Sequence, residues 1–392
     1  MQAAYIVAPV RTAIGTFGGM YKGMMANELA VHVLQETIRR AGIDAGQLDD
    51  ILFGNCFMRT DEPNVARVAS LKAGIPHTVP ACTIQRQCSS SLQAAVFAAQ
   101  KIQSGDADMV LVAGVEAMSA APYVLKDARW GKRLMHAEMT DTIWEGLTCP
   151  NTGVIMGVTA ENLAEKYSIS RQEQDQLAYE SHQKAAAATR EGRFKAEIVP
   201  VEIRDRKGKV TLLNTDEHVR PDITLEALGK LPATFKKGGT VTAGNSSGIN
   251  DGASAALVVS ERKLKELGLV PEARIVAHAV AGVEPELMGY GPVPATRKAL
   301  ERAGMTLAQI QLIELNEAFA AQYLACEKLL ELDRSIVNVN GSGISLGHPV
   351  GATGLRLLVT LVHELKRRSL RYGLASLCVG GGMGKTVIVE RA

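Results

Sequence analysis

The sequence predicts a layered α/β protein with a duplicated core and one long insertion. Three observations lead to this expectation: strand-like and helix-like segments alternate, the chain repeats itself once, and residues 119–249 have no counterpart in the repeat. At 392 residues the chain is too long for one ordinary hydrophobic core, so two or three domains are expected. Hydrophobic residues make up 46% of the chain, which is enough to fill such cores.

Alternation of strands and helices is clearest in the first part of the chain. Residues 28–40 carry apolar side chains at helical spacing, and Gly42 should end that helix. Residues 89–103 are small and apolar on nearly every face, which predicts a buried helix. Short runs rich in β-forming residues predict strands at 5–10, 50–53, 82–84, 109–113, 311–315, 335–340, 373–377 and 386–389.

The internal repeat consists of weak matches that keep their order and nearly constant separation. Residues 40–43 are echoed by residues 302–305, and residues 6–8 by residues 275–277. So long a period excludes a solenoid and favours a duplicated domain. The predicted division is an N-terminal core half at 1–118 plus 250–270, an inserted loop domain at 119–249, and a C-terminal core half at 271–392.

The insertion is more polar than the two halves. It contains a polar helical stretch at residues 171–191 and a basic turn at residues 204–207. An insertion of this size either covers or feeds an active site or serves as an oligomerisation arm, and the two roles are compatible.

The composition excludes several classes of protein. Lys and Arg total 43 and Asp and Glu total 41, so the net charge of +2 gives no general attraction to nucleic acid or to an anionic membrane. The six cysteines include no Cys-x-x-Cys pair that would suggest zinc. The N-terminus lacks the pattern of a signal peptide, and no stretch approaches the ~20 apolar residues of a membrane span. We therefore expect a cytoplasmic protein with reduced cysteines.

Cys88 stands between the predicted strand at 82–84 and the buried helix. A helix N-terminus offers unpaired N–H groups and a positive dipole end, so we expect a lowered pKa for this thiol. A tight strand-to-helix turn would also lift the side chain out of the sheet, as in a nucleophile elbow. A small buried hydrophobic residue is the alternative interpretation, and position alone leaves both open.

His348 and Cys378 lie in two further glycine-rich turns. In the repeat, Cys88 falls opposite Gly351, three residues after His348, so equivalent turns of the two halves can point at one centre. Histidine is the usual base for a thiol nucleophile, although a structural histidine is the commoner case. Cys378 opens a run of glycines whose N–H groups could form an oxyanion hole.

Asn316 follows the predicted strand at 311–315, where it could hold a water or cap a helix, and spacing does not separate these roles. Two imitations of nucleotide sites are dismissed. Residues 384–386 read Gly-Lys-Thr but lack the earlier P-loop glycine, and the Gly-Ser-Gly turn at 341–343 has its third glycine one residue late.

These motifs resemble the thiolase family over essentially the whole chain. The resemblance is carried by Cys88 within Arg86-Gln87-Cys88-Ser89-Ser90, Asn316-Glu317-Ala318-Phe319, Gly347-His348-Pro349 with Gly351, and Cys378 with Gly380-Gly381-Gly382. It implies a five-layered αβαβα core, an insertion that holds coenzyme A, and a homo-oligomer, either a dimer or a tetramer. It implies acetyl-CoA acetyltransferase or 3-ketoacyl-CoA thiolase activity in fatty acid metabolism. Coenzyme A would be a substrate, with no permanently bound cofactor and no metal.

The resemblance also implies a ping-pong mechanism. His348 would take the Cys88 proton, Cys88 would hold the acyl group, and Cys378 would remove a proton from acetyl-CoA. His348 and a water on Asn316 would stabilise the enolate oxygen, and the N–H groups of Cys88 and Gly380 would form a second oxyanion hole. By the same resemblance, the residues expected to bind coenzyme A and line the channel are Arg220, Ser247, Phe235, Met156, Met288, Ala318 and Phe319.

The chain departs from the family pattern in four places. Ser91 stands where the family usually has glycine, Gln85 replaces an expected asparagine, and Ile155 stands where many acetoacetyl-specific members carry histidine. Residues 341–345 read Gly-Ser-Gly-Ile-Ser in place of the commoner Gly-Gly-Ala-Ile-Ala. None removes a catalytic group, but Ser91 and Ile155 leave acyl chain length open. Two alternatives to a thiolase are a ketosynthase-type condensing enzyme, against which Cys378 argues, and a non-catalytic acyl-CoA-binding protein.

Overall fold

Strands and helices alternate along the chain as expected in the computed structural model, which describes residues 2–204 and 208–392. Most of the predicted basic turn, residues 205–207, lies outside the described residues. The strands are β1 Ala4–Thr12, β2 Gly15–Thr16, β3 Asp50–Gly54, β4 Ala81–Ile84, β5 Met109–Ala117, β6 Tyr123–Val124, β7 Thr140–Asp141, β8 Ile198–Val199, β9 Val201–Arg204, β10 Val210–Leu213, β11 Asn250–Ser260, β12 Ala273–Gly282, β13 Leu312–Leu315, β14 Tyr372–Val379 and β15 Met383–Arg391. The α-helices are α1 Ala26–Ala41, α2 Val65–Lys72, α3 Ser90–Ser104, α4 Thr142–Gly146, α5 Met156–Lys166, α6 Arg171–Arg190, α7 Leu225–Gly229, α8 Glu261–Leu267, α9 Pro292–Ala303, α10 Ala320–Leu330, α11 Gly343–Leu346 and α12 Val350–Arg368.

The strand order shows the duplication. The strands follow one another as β13-β14-β15-β12-β1-β11-β5-β3-β4, with β1 and β12 antiparallel at the centre. Outward from that junction each half reads alike, because β1-β11-β5-β3 is matched by β12-β15-β14-β13. The pairs β3–β5 and β13–β14 are parallel, whereas β5–β11 and β14–β15 are antiparallel. The predicted duplicated α/β core is therefore confirmed.

Three helical layers enclose two sheet layers. Helices α3 and α12 pack between the inner faces of both halves, and this central core includes the buried helix expected at 89–103. Helices α1 and α2 cover the outer face of the first half. Helices α9 and α10 cover the outer face of the second. The result is the αβαβα arrangement, whose central layer lies directly beneath the site described below.

The repeated sequence at residues 40–43 and 302–305 has a structural cause. Gly42 and Gly304 follow the ends of α1 and α9 with φ angles of 68° and 63°, a left-handed conformation that favours glycine. Each glycine N–H donates to carbonyls of the preceding helical turn. The two glycines thus end equivalent helices in the two halves.

Residues 335–340 differ from expectation, because they form no strand. Only isolated bridges are present, between Val337 and Ile313 and between Val339 and Gly341. Asn338 has a φ angle of 47°, which interrupts the extended backbone that a strand requires. The prediction of a strand there was wrong.

The insertion is tied to the core by a buried ion cluster. Arg11 of β1 is fully buried, with its Nε 2.6 Å from Glu197 Oε1 and its Nη1 2.7 Å from Asp216 Oδ1. Both carboxylates belong to residues 119–249, so this cluster fixes the insertion against the first strand. None of the helices in the described ranges combines the length and apolar character needed to cross a membrane.

Candidate active site

The turn that carries Cys88 is sharp. Strand β4 ends at Ile84, α3 begins at Ser90, and Gln87 between them has a φ angle of 45°. The Ser90 hydroxyl holds the turn, because it accepts from the Arg86 N–H at 2.9 Å and donates to the Gln87 carbonyl at 2.6 Å. A strained residue just before the cysteine is the geometry of a nucleophile elbow, as expected.

The pKa of Cys88 is raised, not lowered as expected from its position. Burial raises it to about 11, and the nearby Glu116 carboxylate adds to the rise. Hydrogen bonds from the N–H groups of Gly380 and Cys88 act in the opposite direction but do not prevail. The thiol is therefore neutral at physiological pH and needs a base before it can act as a nucleophile.

The imidazole of His348 is held in one tautomer. Its Nδ1 lies 2.7 Å from Thr353 Oγ1, and that hydroxyl lies 2.8 Å from the Pro349 carbonyl, to which it donates. The hydroxyl oxygen must then accept from Nδ1–H, which leaves Nε2 unprotonated. Burial, helped by the positive charge of Arg356, lowers the pKa of His348 to about 3. His348 is thus a neutral ring with a free nitrogen lone pair, which suits a general base.

Cys88 and His348 line one cavity of about 230 Å³. Most of its wall is apolar, and the departing residue Ile155 belongs to it. Six residues expected to bind substrate also line it: Met156, Phe235, Ser247, Met288, Ala318 and Phe319. Ser91 does not, because its hydroxyl is buried between helices and accepts from the Leu355 N–H at 2.9 Å.

Cys378 lies at the end of β14, buried against the cavity lining. It packs in one cluster with Met156, Met288 and Ala318. Burial raises the pKa of its thiol well above the usual value, and the charge that Cys88 would carry raises it further. The two thiols are therefore close enough to interact electrostatically, although they come from different halves of the fold.

Asn316 follows β13 directly and is fully buried. Neither its amide nitrogen nor its amide oxygen has a hydrogen-bond partner among the described residues. The helix-cap alternative is wrong, because α10 begins at Ala320 with Phe319 in the cap position. A buried amide without a protein partner is suited to hold a water or a substrate oxygen.

Arg220 is not brought to the cavity. Its side chain is exposed, and its backbone N–H donates to Nδ1 of His182 at 3.1 Å. Arg220 also lies near His218, which contacts the backbone at Gly248 on the cavity rim. Arg220 is therefore exposed and does not line the cavity.

Three residues that matter here were missed by sequence reasoning. Thr353 stands five residues after His348, a spacing that could have been noticed. Asn250, whose Oδ1 accepts from the His348 N–H at 2.9 Å, gives no local signal. The buried Glu116 carboxylate accepts from the N–H groups of Phe57 at 3.0 Å and Gly351 at 2.7 Å, and it too is recognisable only in three dimensions.

No group of three or more His, Cys, Asp or Glu side chains is arranged to hold a metal ion within residues 2–204 and 208–392. The site is an apolar cavity lined by the Cys88 thiol and the neutral His348 imidazole, with the Cys378 thiol packed against the lining and the unpaired Asn316 amide buried after β13. Such a set can form a thioester and move a proton at carbon.

Comparison with known proteins gives consistent matches over the whole chain. Residues 4–262 match the profile described as Thiolase, N-terminal domain, and residues 269–391 match Thiolase, C-terminal domain. The acetyl-CoA acetyltransferase of Pseudomonas aeruginosa is 49% identical over 392 residues, covering 100% of each chain. That of Escherichia coli is 49% identical over 393 residues, again covering 100% of each.

Solved structures agree with these matches. The crystal structure of the Bacillus anthracis acetyl-CoA acetyltransferase superposes with a TM-score of 0.99 at 53% identity, covering 100% of this chain and 99% of that one. Human mitochondrial 3-ketoacyl-CoA thiolase in complex with CoA superposes with a TM-score of 0.96 at 42% identity, covering 100% and 98%.

Proposed function

Because this chain belongs to the thiolase family, we propose that it is an acetyl-CoA acetyltransferase that works through the residues described above. The family membership makes it an acyltransferase, acting between thioesters in condensation or in reverse thiolysis of a 3-oxoacyl-CoA. One observation supports the residue assignment most strongly. Cys88 and His348 line the same cavity, and the Cys378 thiol packs against the lining of that cavity.

In the first half-reaction Cys88 attacks a thioester carbonyl. Nε2 of His348 takes the thiol proton, and Thr353 keeps that nitrogen free by accepting from Nδ1–H. The N–H groups of Gly380 and Cys88, which act to lower the pKa of the thiol, stabilise the developing oxyanion. The acyl group stays on Cys88, and the proton leaves on coenzyme A.

In the second half-reaction neutral His348 takes the proton of the Cys378 thiol, and the resulting thiolate removes a proton from the α-carbon of acetyl-CoA. The carbanion attacks acyl-Cys88, a carbon–carbon bond forms, and the leaving Cys88 thiolate takes the proton back from His348. The unpaired amide of Asn316, through a water, and His348 stabilise the enolate oxygen. A thiol with a strongly raised pKa suits the base role, because its thiolate is strongly basic once formed.

Coenzyme A enters as a substrate and not as a resident cofactor. Its pantetheine arm occupies the cavity along Met156, Phe235, Met288, Ala318 and Phe319, with Ser247 as a polar contact. Arg220 is exposed and does not line the cavity, so in this proposal it contacts the charged nucleotide end of coenzyme A outside the cavity.

We further infer the domain division given above: 1–118 plus 250–270, 119–249 and 271–392. A dimer or homotetramer is supported by the outer edge of β4, which is unpaired among the described strands, and by exposed apolar side chains between residues 123 and 144. A cytoplasmic location would keep both thiols reduced, and the activity would serve fatty acid metabolism.

A thiolysis assay tests the function. Acetoacetyl-CoA with free coenzyme A should be consumed, measured by loss of the enolate absorbance. A ketosynthase would instead decarboxylate a malonyl thioester. If neither acetoacetyl-CoA nor longer or branched 3-oxoacyl thioesters react, a non-catalytic acyl-CoA-binding protein is the better interpretation.

A further inference from the structure

The segment at residues 341–346, which leads into His348, packs directly against Asn316. A Cβ atom on Gly343 would stand 2.7 Å from Asn316 Oδ1 and 2.6 Å from the Glu317 carbonyl oxygen, closer than real Cβ atoms approach other atoms. Position 343 therefore accepts only glycine while the segment keeps this place. The Asn316 amide has no hydrogen-bond partner among the described residues, so packing against this segment helps to fix its orientation.

A buried serine of the insertion holds the segment in place. Ser181 of α6 has its Oγ 2.8 Å from Ser345 Oγ, and that oxygen accepts from the backbone N–H of Ser342 at 3.4 Å. All three serines are buried, which strengthens such contacts. Position 345 is one of the departures from the family pattern, because alanine is commoner there and has no hydroxyl to contact Ser181.

The same serine is bonded to the residue that follows Asn316. The Ser181 hydroxyl donates to Glu317 Oε2 at 2.6 Å, and the other oxygen of that carboxylate accepts from Asn338 Nδ2 at 2.9 Å. The Asn338 amide also bonds both the N–H and the carbonyl of Leu315. The two neighbours of Asn316 in the chain are thus fixed, and Ser181 links them to the segment that packs on the amide.

His348 has anchors of its own. Its Nδ1 lies 2.7 Å from Thr353 Oγ1, and its backbone N–H donates to Asn250 Oδ1 at 2.9 Å. Neither partner belongs to the segment at 341–346. A small displacement of that segment should therefore disturb the Asn316 amide more than the imidazole.

We propose that Ser345, acting through Ser181 of the insertion, is a positioning residue for the Asn316 amide. The inference rests on the proposed function, in which that amide stabilises the enolate oxygen through a water. Only the half-reaction at carbon uses this amide. Acylation of Cys88 uses the N–H groups of Cys88 and Gly380 instead, so the two half-reactions should respond differently when the tether is cut.

Ser345→Ala tests the tether with two assays. Thiolysis of acetoacetyl-CoA passes through the enolate, and its kcat should fall about 3- to 10-fold, as expected for a lost buried hydrogen bond. Exchange of labelled coenzyme A into acetyl-CoA needs only the formation of acetyl-Cys88 and its reversal. Its rate should stay within about twofold of the parent, because the Cys88 site is untouched.

Ser70→Ala is the matched control. Ser70 is a buried serine of α2 whose hydroxyl donates to the Arg67 carbonyl at 2.9 Å, and it does not line the cavity. Both of its rates should equal those of the parent. An unchanged thiolysis rate in Ser345→Ala, or an equal loss in both assays, overturns the positioning role alone. Absence of thiolysis in the parent overturns the proposed function and the positioning role with it.

A double-mutant cycle tests the route through Ser181. Ser181→Ala should slow thiolysis more than Ser345→Ala does, since it also removes the hydrogen bond to Glu317. Adding Ser345→Ala to that variant should then lower kcat by less than about twofold, because the contact is already lost. A full additional loss would show that Ser345 acts by another route and would overturn the proposal.

Gly343→Ala tests the contact with the amide itself. The new methyl group would overlap Asn316 Oδ1, so kcat for thiolysis should fall about tenfold or more while coenzyme A exchange persists. A crystal structure of this variant should show the amide or the segment displaced. Parent-like thiolysis in a folded Gly343→Ala enzyme would refute the link between the segment and Asn316.

Discussion

Replacing Thr353 by valine should slow catalysis without removing any group that touches the substrate. Valine has nearly the shape of threonine but cannot accept the hydrogen bond that His348 Nδ1–H makes at 2.7 Å. The proton on Nδ1 is then left buried without a partner, or it moves to Nε2 and removes the base. Thr353 is thus a positioning residue, which acts through His348.

The magnitude follows from the cost of a buried unsatisfied donor, about 1–3 kcal/mol. If that cost falls on the reacting state, kcat/KM for acetoacetyl-CoA thiolysis should drop by about 5- to 150-fold. Thr353→Ser keeps the hydroxyl and should restore the rate to within about threefold of the parent. Affinity for coenzyme A should be unchanged in both variants, because Thr353 does not line the cavity.

The assay compares the three proteins at equal concentration of folded enzyme, following the enolate absorbance. Thr353 also donates to the Pro349 carbonyl, so a general packing defect would lower thermal stability and activity together. If Thr353→Ser keeps the parent rate and Thr353→Val of equal stability does not, the loss of activity is due to the lost hydrogen bond to the imidazole. A folded Thr353→Val enzyme with kcat/KM within about twofold of the parent would refute the tautomer argument.

Three further predictions follow from the same structure. In Cys378→Ala, Cys88 should still become acylated, which mass spectrometry would detect, while the rate of condensation falls by about 10²- to 10⁴-fold. A condensation rate equal to that of the parent would contradict the role of Cys378 as the base. Because the pKa of Cys88 is about 11, its alkylation by iodoacetamide should speed up about tenfold per pH unit from pH 7 to pH 9, and a plateau near pH 7 would indicate a thiolate–imidazolium pair instead. Asp216→Ala should lower the free energy of unfolding by about 3 kcal/mol or more, because it leaves Arg11 buried with one carboxylate fewer. Urea denaturation would measure this loss. A loss below about 1 kcal/mol would show that the cluster does not tie the insertion to the core.

The features that could be predicted from the sequence differ in a physical way from those that could not. Features formed by residues adjacent in the chain could be predicted from the sequence. They are the repeated segments of the duplication, the turn before α3 and the motifs around Cys88, Asn316, His348 and Cys378. The pKa of Cys88 was mispredicted because it depends on burial by helix α4 and on the loop at 55–57, which come from distant parts of the chain. The strand predicted at 335–340 is absent for another reason, because Asn338 has a positive φ angle that cannot be predicted from composition.

In the proposed mechanism neither half of the fold could carry out the reaction alone. The first half supplies Cys88, whereas the second supplies His348, Cys378 and the Gly380 N–H. Glu116 of the first half accepts from the Gly351 N–H at the start of α12, so it holds the helix that follows His348 against the turn of Cys88. A neutral thiol and a neutral imidazole attract each other only weakly, and their approach therefore depends on such rigid backbone contacts. The central helical layer supplies such a contact, because α3 and α12, which begin after the turns of Cys88 and His348, pack against each other.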